Sequence, residues 1–252
     1  MKNSAEYAVV LKKLCNKLKR GGKAPIAISL TGPTTALVLA CLSEATTESK
    51  AQASLNKLES IFVDYNELRV ARLDEIIDIL GKGFPQCKAV ASQIISLLQQ
   101  IYDDQDNLSL SNLAESGKRE ARSFLEKLNG ITPYIVSRTM LQGVGAHAFP
   151  VHEQLLEALR KEGVVHPDAD AAEVQGFLER QIPASQMQKT YAMLRHFADT
   201  SKSKHTGTAS KAEIETEAET ESKTVQNAVK DSAKTTATAT HKTRKTTKNK
   251  KD

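Results

Sequence analysis

The chain has no tryptophan, few aromatic residues and three cysteines. It also has no long apolar run. The longest clean stretch, "ALVLACL" from Ala36 to Leu42, is far too short to span a bilayer. Cys15, Cys41 and Cys87 are odd in number, far apart and set within apolar patterns. They read as reduced core residues of an intracellular protein, not as a disulfide frame or a metal knuckle. The histidines lack metal-ligand spacing with cysteine or carboxylates, so no metal is expected. A P-loop, a Ser/His/Asp constellation and a dinucleotide-binding glycine pattern are all missing, and no cofactor is expected. The N-terminus reaches Glu6 early and carries charges through its apolar pattern, which indicates an amphipathic helix and not a signal peptide.

Charge is unevenly distributed over the 252 residues. The segment from Thr200 to Asp252 holds 12 Lys+Arg against 7 Asp+Glu, leaving 23 of each in residues 1–199. The body is therefore formally neutral, and the excess of +5 belongs to the tail. Large apolar residues nearly vanish beyond Thr200, so residues 200–252 are expected to be disordered. The closing run contains Lys242, Arg244, Lys245 and Lys248. Close positive charges of this kind favour phosphate through counterion release, without base sequence being read. The plainer alternative is a solubilising tail.

Residues 1–199 show helical periodicity. Leu11, Leu14, Cys15 and Leu18 recur at helical spacing, as do Val90, Ile94, Leu97, Leu98 and Ile101. Glycine and proline fall between such segments, and Asp170 to Glu173 has capping-box spacing. Pro33, Pro85, Pro133 and Pro183 suit first helical turns. No stretch alternates convincingly as a strand. The expected fold is all-α, with about ten helices.

One segment has the outline of a helix–hairpin–helix: "ARSFLEKLNGITPYIVSRT". Leu128 closes the first helix, Asn129 and Gly130 make the turn, Ile131 plugs it, Thr132 precedes the second helix, and Pro133 starts it. Free N–H groups at that helix start suit a phosphate, a contact that positions a backbone and reads no sequence. The plainer alternative is a connector between two core helices. "LQGVGAHAF", from Leu141 to Phe149, has a similar outline but leaves too little chain before Pro150, so it reads as the loop after the hairpin.

The hairpin resembles that of the endonuclease III-like DNA glycosylase superfamily, and the likeness extends further. "LACLSEATTESKAQASLNKL" (Leu39 to Leu58) resembles the family's "LSxQTTD" helix start. "IIDILGKGFPQCKAVASQI" (Ile76 to Ile94) and "FPVHEQLLEAL" (Phe149 to Leu159) resemble two further segments, in family order and spacing. Together they cover about residues 34 to 198, roughly two-thirds of the chain. The resemblance implies an endonuclease III-like fold of two lobes, residues 33–141 forming one and residues 1–32 with 142–199 the other. It implies a duplex DNA partner held mostly by its backbone. A monomer is expected, in the cytoplasm or nucleoid, or in the nucleus of a eukaryote.

The residues that perform the family's chemistry are changed. Tyr134 stands where lyase members carry a lysine, and a phenol has no amine for a Schiff base. His152 stands at the catalytic aspartate, and an imidazole cannot supply the negative charge that an oxocarbenium-like transition state requires. Glu153 is adjacent, but one residue along a helix turns a side chain by about 100°. Ala45 replaces the glutamine that fills the gap left by a flipped base. There is no cysteine after Cys87, so the family's iron–sulfur cluster is not expected. The expectation is a DNA-binding protein on a glycosylase scaffold with impaired catalysis. The alternatives are an active monofunctional glycosylase using Glu153 or His152, and a helical module for a protein partner. A basic face around residues 129–138, including Lys127 and Arg138, would favour DNA; a mixed face would favour a protein.

Overall fold

The computed structural model describes residues 4–21 and 32–201. The expected tail disorder and the cations Lys242, Arg244, Lys245 and Lys248 lie outside the described residues. Within them every regular element is helical, as the periodicity predicts. The helices are α1 (Ser4–Arg20), α2 (Pro33–Ala45), α3 (Glu48–Ile61), α4 (Tyr65–Val70), α5 (Leu73–Leu80) and α6 (Cys87–Gln105). They continue as α7 (Ser111–Glu115), α8 (Lys118–Lys127), α9 (Pro133–Gln142), α10 (Glu153–Lys161) and α11 (Ala171–Gln181). A 3₁₀ turn at Ala184–Gln186 leads into α12, residues 187–201. None of these helices is long and apolar enough to cross a membrane.

Helix α2 is central. Every residue from Pro33 to Ser43 is buried; Ala36 to Leu42 are apolar on all sides, and the Thr34 and Ser43 hydroxyls donate to the Leu108 and Ala40 carbonyls. Its main neighbour is α9, also buried from Tyr134 to Leu141. At the end of α9 the two backbones nearly touch. A Cβ built on Gly143 would lie 2.6 Å from the Pro33 Cα and 3.0 Å from the Ala36 Cβ. Glycine is required there for close approach, not for backbone conformation.

Buried apolar side chains form two clusters. One surrounds α2 and α9 and takes in Leu55, Leu58, Ile76, Ile94, Leu98 and Leu125. The other joins Leu11 and Leu14 of α1 to Phe149, Leu155, Leu159, Val174, Phe177 and Leu194. Burying each such side chain contributes on the order of 1.5–3 kcal/mol.

Several local expectations hold. Pro33 and Pro133 open helices, and the Asp170 side chain accepts from the Glu173 N–H at 2.7 Å. Pro85 differs: α6 starts at Cys87, after Gln86 in the left-handed region at φ 50°. The turn spends one more residue than a proline-initiated helix would need.

Candidate nucleic-acid interface

The hairpin is held from both sides. Leu128 is buried, and Gly130 takes φ 81°, a left-handed value cheap only without a Cβ. Two glutamines of α6 brace the turn. The Gln93 side chain donates to the Gly130 carbonyl at 2.8 Å. The Gln100 amide group donates to the Asn129 carbonyl at 3.1 Å and accepts from its N–H at 2.7 Å. Ile131 is half-buried against the core around α2 and α9. Thr132 caps α9, its hydroxyl accepting from the Ile135 N–H at 3.2 Å. The same hydroxyl donates to the Glu44 carboxylate at 2.8 Å. Pro133 is exposed at the helix start. The Gly130 and Thr132 N–H groups make no hydrogen bond to the described residues, whereas that of Ile135 is used by the cap.

Tyr134 and His152, widely separated in sequence, are brought together. Their rings lie 5.5 Å apart, and each residue is only 4% exposed. His152 is the N-cap residue of α10, while Glu153 begins that helix and is exposed. The carboxylate next in sequence is thus turned out of the burial that holds His152. Ala45 is half-buried at the end of α2.

The Tyr134 hydroxyl is saturated. It accepts from Arg138 Nη1 and Arg195 Nη1, each at 2.9 Å. Ser43 Oγ and the Tyr191 hydroxyl each lie 3.0 Å away. Both lone pairs therefore face guanidinium donors, and the phenol proton has nearby acceptors. Arg138 is 0% exposed and Arg195 is 1% exposed. Buried guanidinium needs matched charge, and the fold supplies it. Arg138 forms a two-pronged contact with Glu48, 2.8 Å at the Nη1–Oε2 prong, and its Nε donates to Gln142 at 3.1 Å. Arg195 pairs with Asp199 at 3.0 Å. The two cations are thus balanced by two carboxylates.

The ionisation of these groups follows from their surroundings. Burial alone would raise the Glu48 pKa, but the charge and hydrogen bonds of Arg138 prevail and hold it below the ordinary value. Burial raises Asp199, partly offset by Arg195. Burial likewise pushes Tyr191 well above the ordinary phenol value. Glu44 is raised by burial, with the Thr132 hydroxyl opposing.

Of the two outcomes set out for the face around residues 129–138, the mixed one is found. Arg138 does not belong to a basic surface; it is buried in the ion pair with Glu48. Lys127 and Glu126 are both exposed, and Glu44 bonds the hairpin cap, so this face carries mixed charge. Sequence reasoning also missed Glu48, Tyr191, Arg195 and Asp199 as parts of the site. One signal was available: Tyr134, Arg138 and Gln142 follow i, i+4, i+8, placing three long polar side chains on one face of a buried helix. A cleft of about 440 Å³ opens over Tyr191 and Arg195 between α3 and α12, but Tyr134 and His152 do not line it. Among the described residues no group of three or more metal-ligating side chains is assembled.

No family model matches the sequence, and no curated protein matches it. Solved structures do match the fold. Endonuclease III, trapped as a covalent intermediate with DNA, aligns with a TM-score of 0.61 and 17% identity, over 78% of this chain and 86% of that one. The 3-methyladenine DNA glycosylase MagIII of H. pylori, bound to 1,N6-ethenoadenine, aligns with a TM-score of 0.59 and 18% identity, over 79% and 98%. A thermostable thymine-DNA glycosylase aligns with a TM-score of 0.58 and 12% identity, over 79% and 88%. The chain therefore has the endonuclease III-like helical fold, as its motifs suggest.

Proposed function

We propose that this protein binds duplex DNA through the hairpin at Leu128–Pro133, on a DNA glycosylase scaffold, and does not excise bases. Backbone N–H groups at Gly130 and Thr132 receive phosphate, with Asn129 and Ile131 shaping the approach. The turn carrying Ala45 lies alongside and offers only a methyl group, too short to fill the place of an extrahelical nucleotide. Lys242, Arg244, Lys245 and Lys248 add sequence-independent affinity, so binding falls with salt.

The observation that carries the non-catalytic part is the pairing of Tyr134 with buried His152, ring to ring at 5.5 Å. The Tyr134 hydroxyl lone pairs are committed to two guanidiniums, so it has no electron pair to offer a sugar and no lyase chemistry starts there. The neighbouring position holds an imidazole in place of a carboxylate, and Glu153 is exposed. Duplex affinity and base release, measured on the full chain, test the proposal. Gly130→Asp leaves the left-handed turn accessible, since aspartate tolerates that conformation, and adds a negative charge where phosphate docks. Severalfold weaker duplex binding is expected, with a melting temperature lowered only by the modest strain of the left-handed turn, and no base release from damaged duplexes. Unchanged affinity refutes the hairpin contact; base release refutes the non-catalytic assignment.

A second reading has its own support. Burial of Arg138 and the placement of Glu44 against Thr132 leave the hairpin face mixed in charge. That suits a protein partner better than a phosphate track. Duplex binding that persists after Gly130→Asp but disappears when the tail is removed would favour this reading.

A further inference from the structure

We propose that Arg195 and Asp199, one turn apart on α12, are positioning residues for the α2–α3 turn. This rests on the reading above, in which that turn lies against duplex DNA beside the hairpin.

The turn lacks caps of its own. Helix α2 ends with no basic residue in its last turn, and the α3 N-cap Thr47 makes no side-chain cap hydrogen bond. Only Thr46 and Thr47 separate the two helices. Orphan carbonyls of one helix therefore adjoin orphan N–H groups of the next. Helix α12 serves both. Arg195 Nη2 donates to the Ser43 carbonyl at 2.8 Å and also to that of Thr46. Asp199 Oδ2 accepts from the Glu48 N–H at 2.8 Å. The two side chains hold each other through Nε–Oδ1 at 3.0 Å. Each charge also suits its helix end: the cation lies at a C-terminus, the anion at an N-terminus.

The turn is held from two directions. On one side lies the α12 pair, with Thr46 buried beneath it; on the other, Glu44 bonds Thr132 of the hairpin. Ala45 and Thr47 remain half-exposed between these supports. A single i,i+4 pair on a remote helix thus sets the attitude of the surface presented beside the hairpin. Lysine cannot replace Arg195, because one ammonium cannot span the acceptors that the planar fork reaches. Asparagine can replace Asp199 in part, because its carbonyl oxygen still accepts from the Glu48 N–H.

Asp199→Ala and Asp199→Asn in the full chain test this by two measurements: amide hydrogen exchange and duplex affinity. With Asp199→Ala, exchange at Glu48 accelerates about tenfold while α9 stays protected, and duplex binding weakens about fivefold, the scale of a lost cap. Asp199→Asn still accepts from the Glu48 N–H but no longer balances Arg195, so both readouts fall between those of the alanine variant and wild type. Unchanged exchange at Glu48 in the alanine variant overturns the inference. So does a uniform loss of protection across α3 and α9, which would make the pair a general stabiliser. Altered exchange with unaltered duplex affinity overturns its link to DNA. Failure of the wild type to bind any duplex refutes the functional reading instead, a result on which the exchange measurement does not depend.

Discussion

Replacing Tyr134 by phenylalanine removes one oxygen from a buried network and leaves the ring. That oxygen accepts from Arg138 and Arg195 at 2.9 Å each and lies 3.0 Å from both Ser43 Oγ and the Tyr191 hydroxyl. A hydrogen bond to a charged group contributes about 1.5–3 kcal/mol. The two guanidinium bonds therefore set an upper limit of roughly 6 kcal/mol. The actual loss is smaller, because Arg138 keeps Glu48, Gln142 and Tyr191, and Arg195 keeps Asp199 and two carbonyls. We expect about 2–4 kcal/mol. At roughly 2–4 °C per kcal/mol for a body of this size, the melting temperature falls by about 5–15 °C. Urea unfolding followed by circular dichroism measures the free-energy loss and a thermal melt the temperature shift, with duplex affinity as a control that should stay within about twofold once the variant is folded. A loss below about 1 kcal/mol would refute the claim that the phenol is a structural keystone. Loss of a base-release activity at unchanged stability would instead make Tyr134 a catalytic group.

Gly143→Ala forces a Cβ toward the Pro33 Cα at 2.6 Å, so α2 and α9 must separate; a loss of about 1–3 kcal/mol should appear in urea unfolding. Glu44→Gln should tighten duplex binding severalfold by removing a charge beside the hairpin cap. Because the folded pKa of Glu44 is raised, its ionisation penalises the folded state as pH climbs above the unfolded value. The glutamine variant should therefore gain stability over wild type at pH 7 and lose that advantage below about pH 4.5, a trend that melting curves across pH will read. Glu48 has the opposite sign. Its folded pKa is lowered, so its contribution is present above the ordinary glutamate range and fades as pH falls below about 4.5. Glu48→Gln should flatten the acid limb of a stability–pH curve.

Helical content, the Asp170 cap, the starts at Pro33 and Pro133, and the tight turn between α8 and α9 are all legible in the sequence. Each depends on residues within a few positions of one another, where period, cap chemistry and glycine freedom act. Pro85 misled because the left-handed Gln86 after it is not dictated by local preference. Arg138 misled for a deeper reason. An arginine within ten residues of a DNA-like hairpin suggests a surface cation, but its exposure depends on what packs over α9. That neighbour is α12, 53 residues away in sequence at Tyr191.

Local sequence therefore determined that this chain is helical and that it makes a tight hairpin. Tertiary structure alone decided what Tyr134, Arg138 and His152 meet. Two buried guanidiniums are tolerable only where two carboxylates, two phenols and free helix-end carbonyls converge. Those groups come from α2, the turn after it, α3, α9 and α12. Charge compensation in a low-dielectric interior depends on distances in space, which spacing along the chain does not encode.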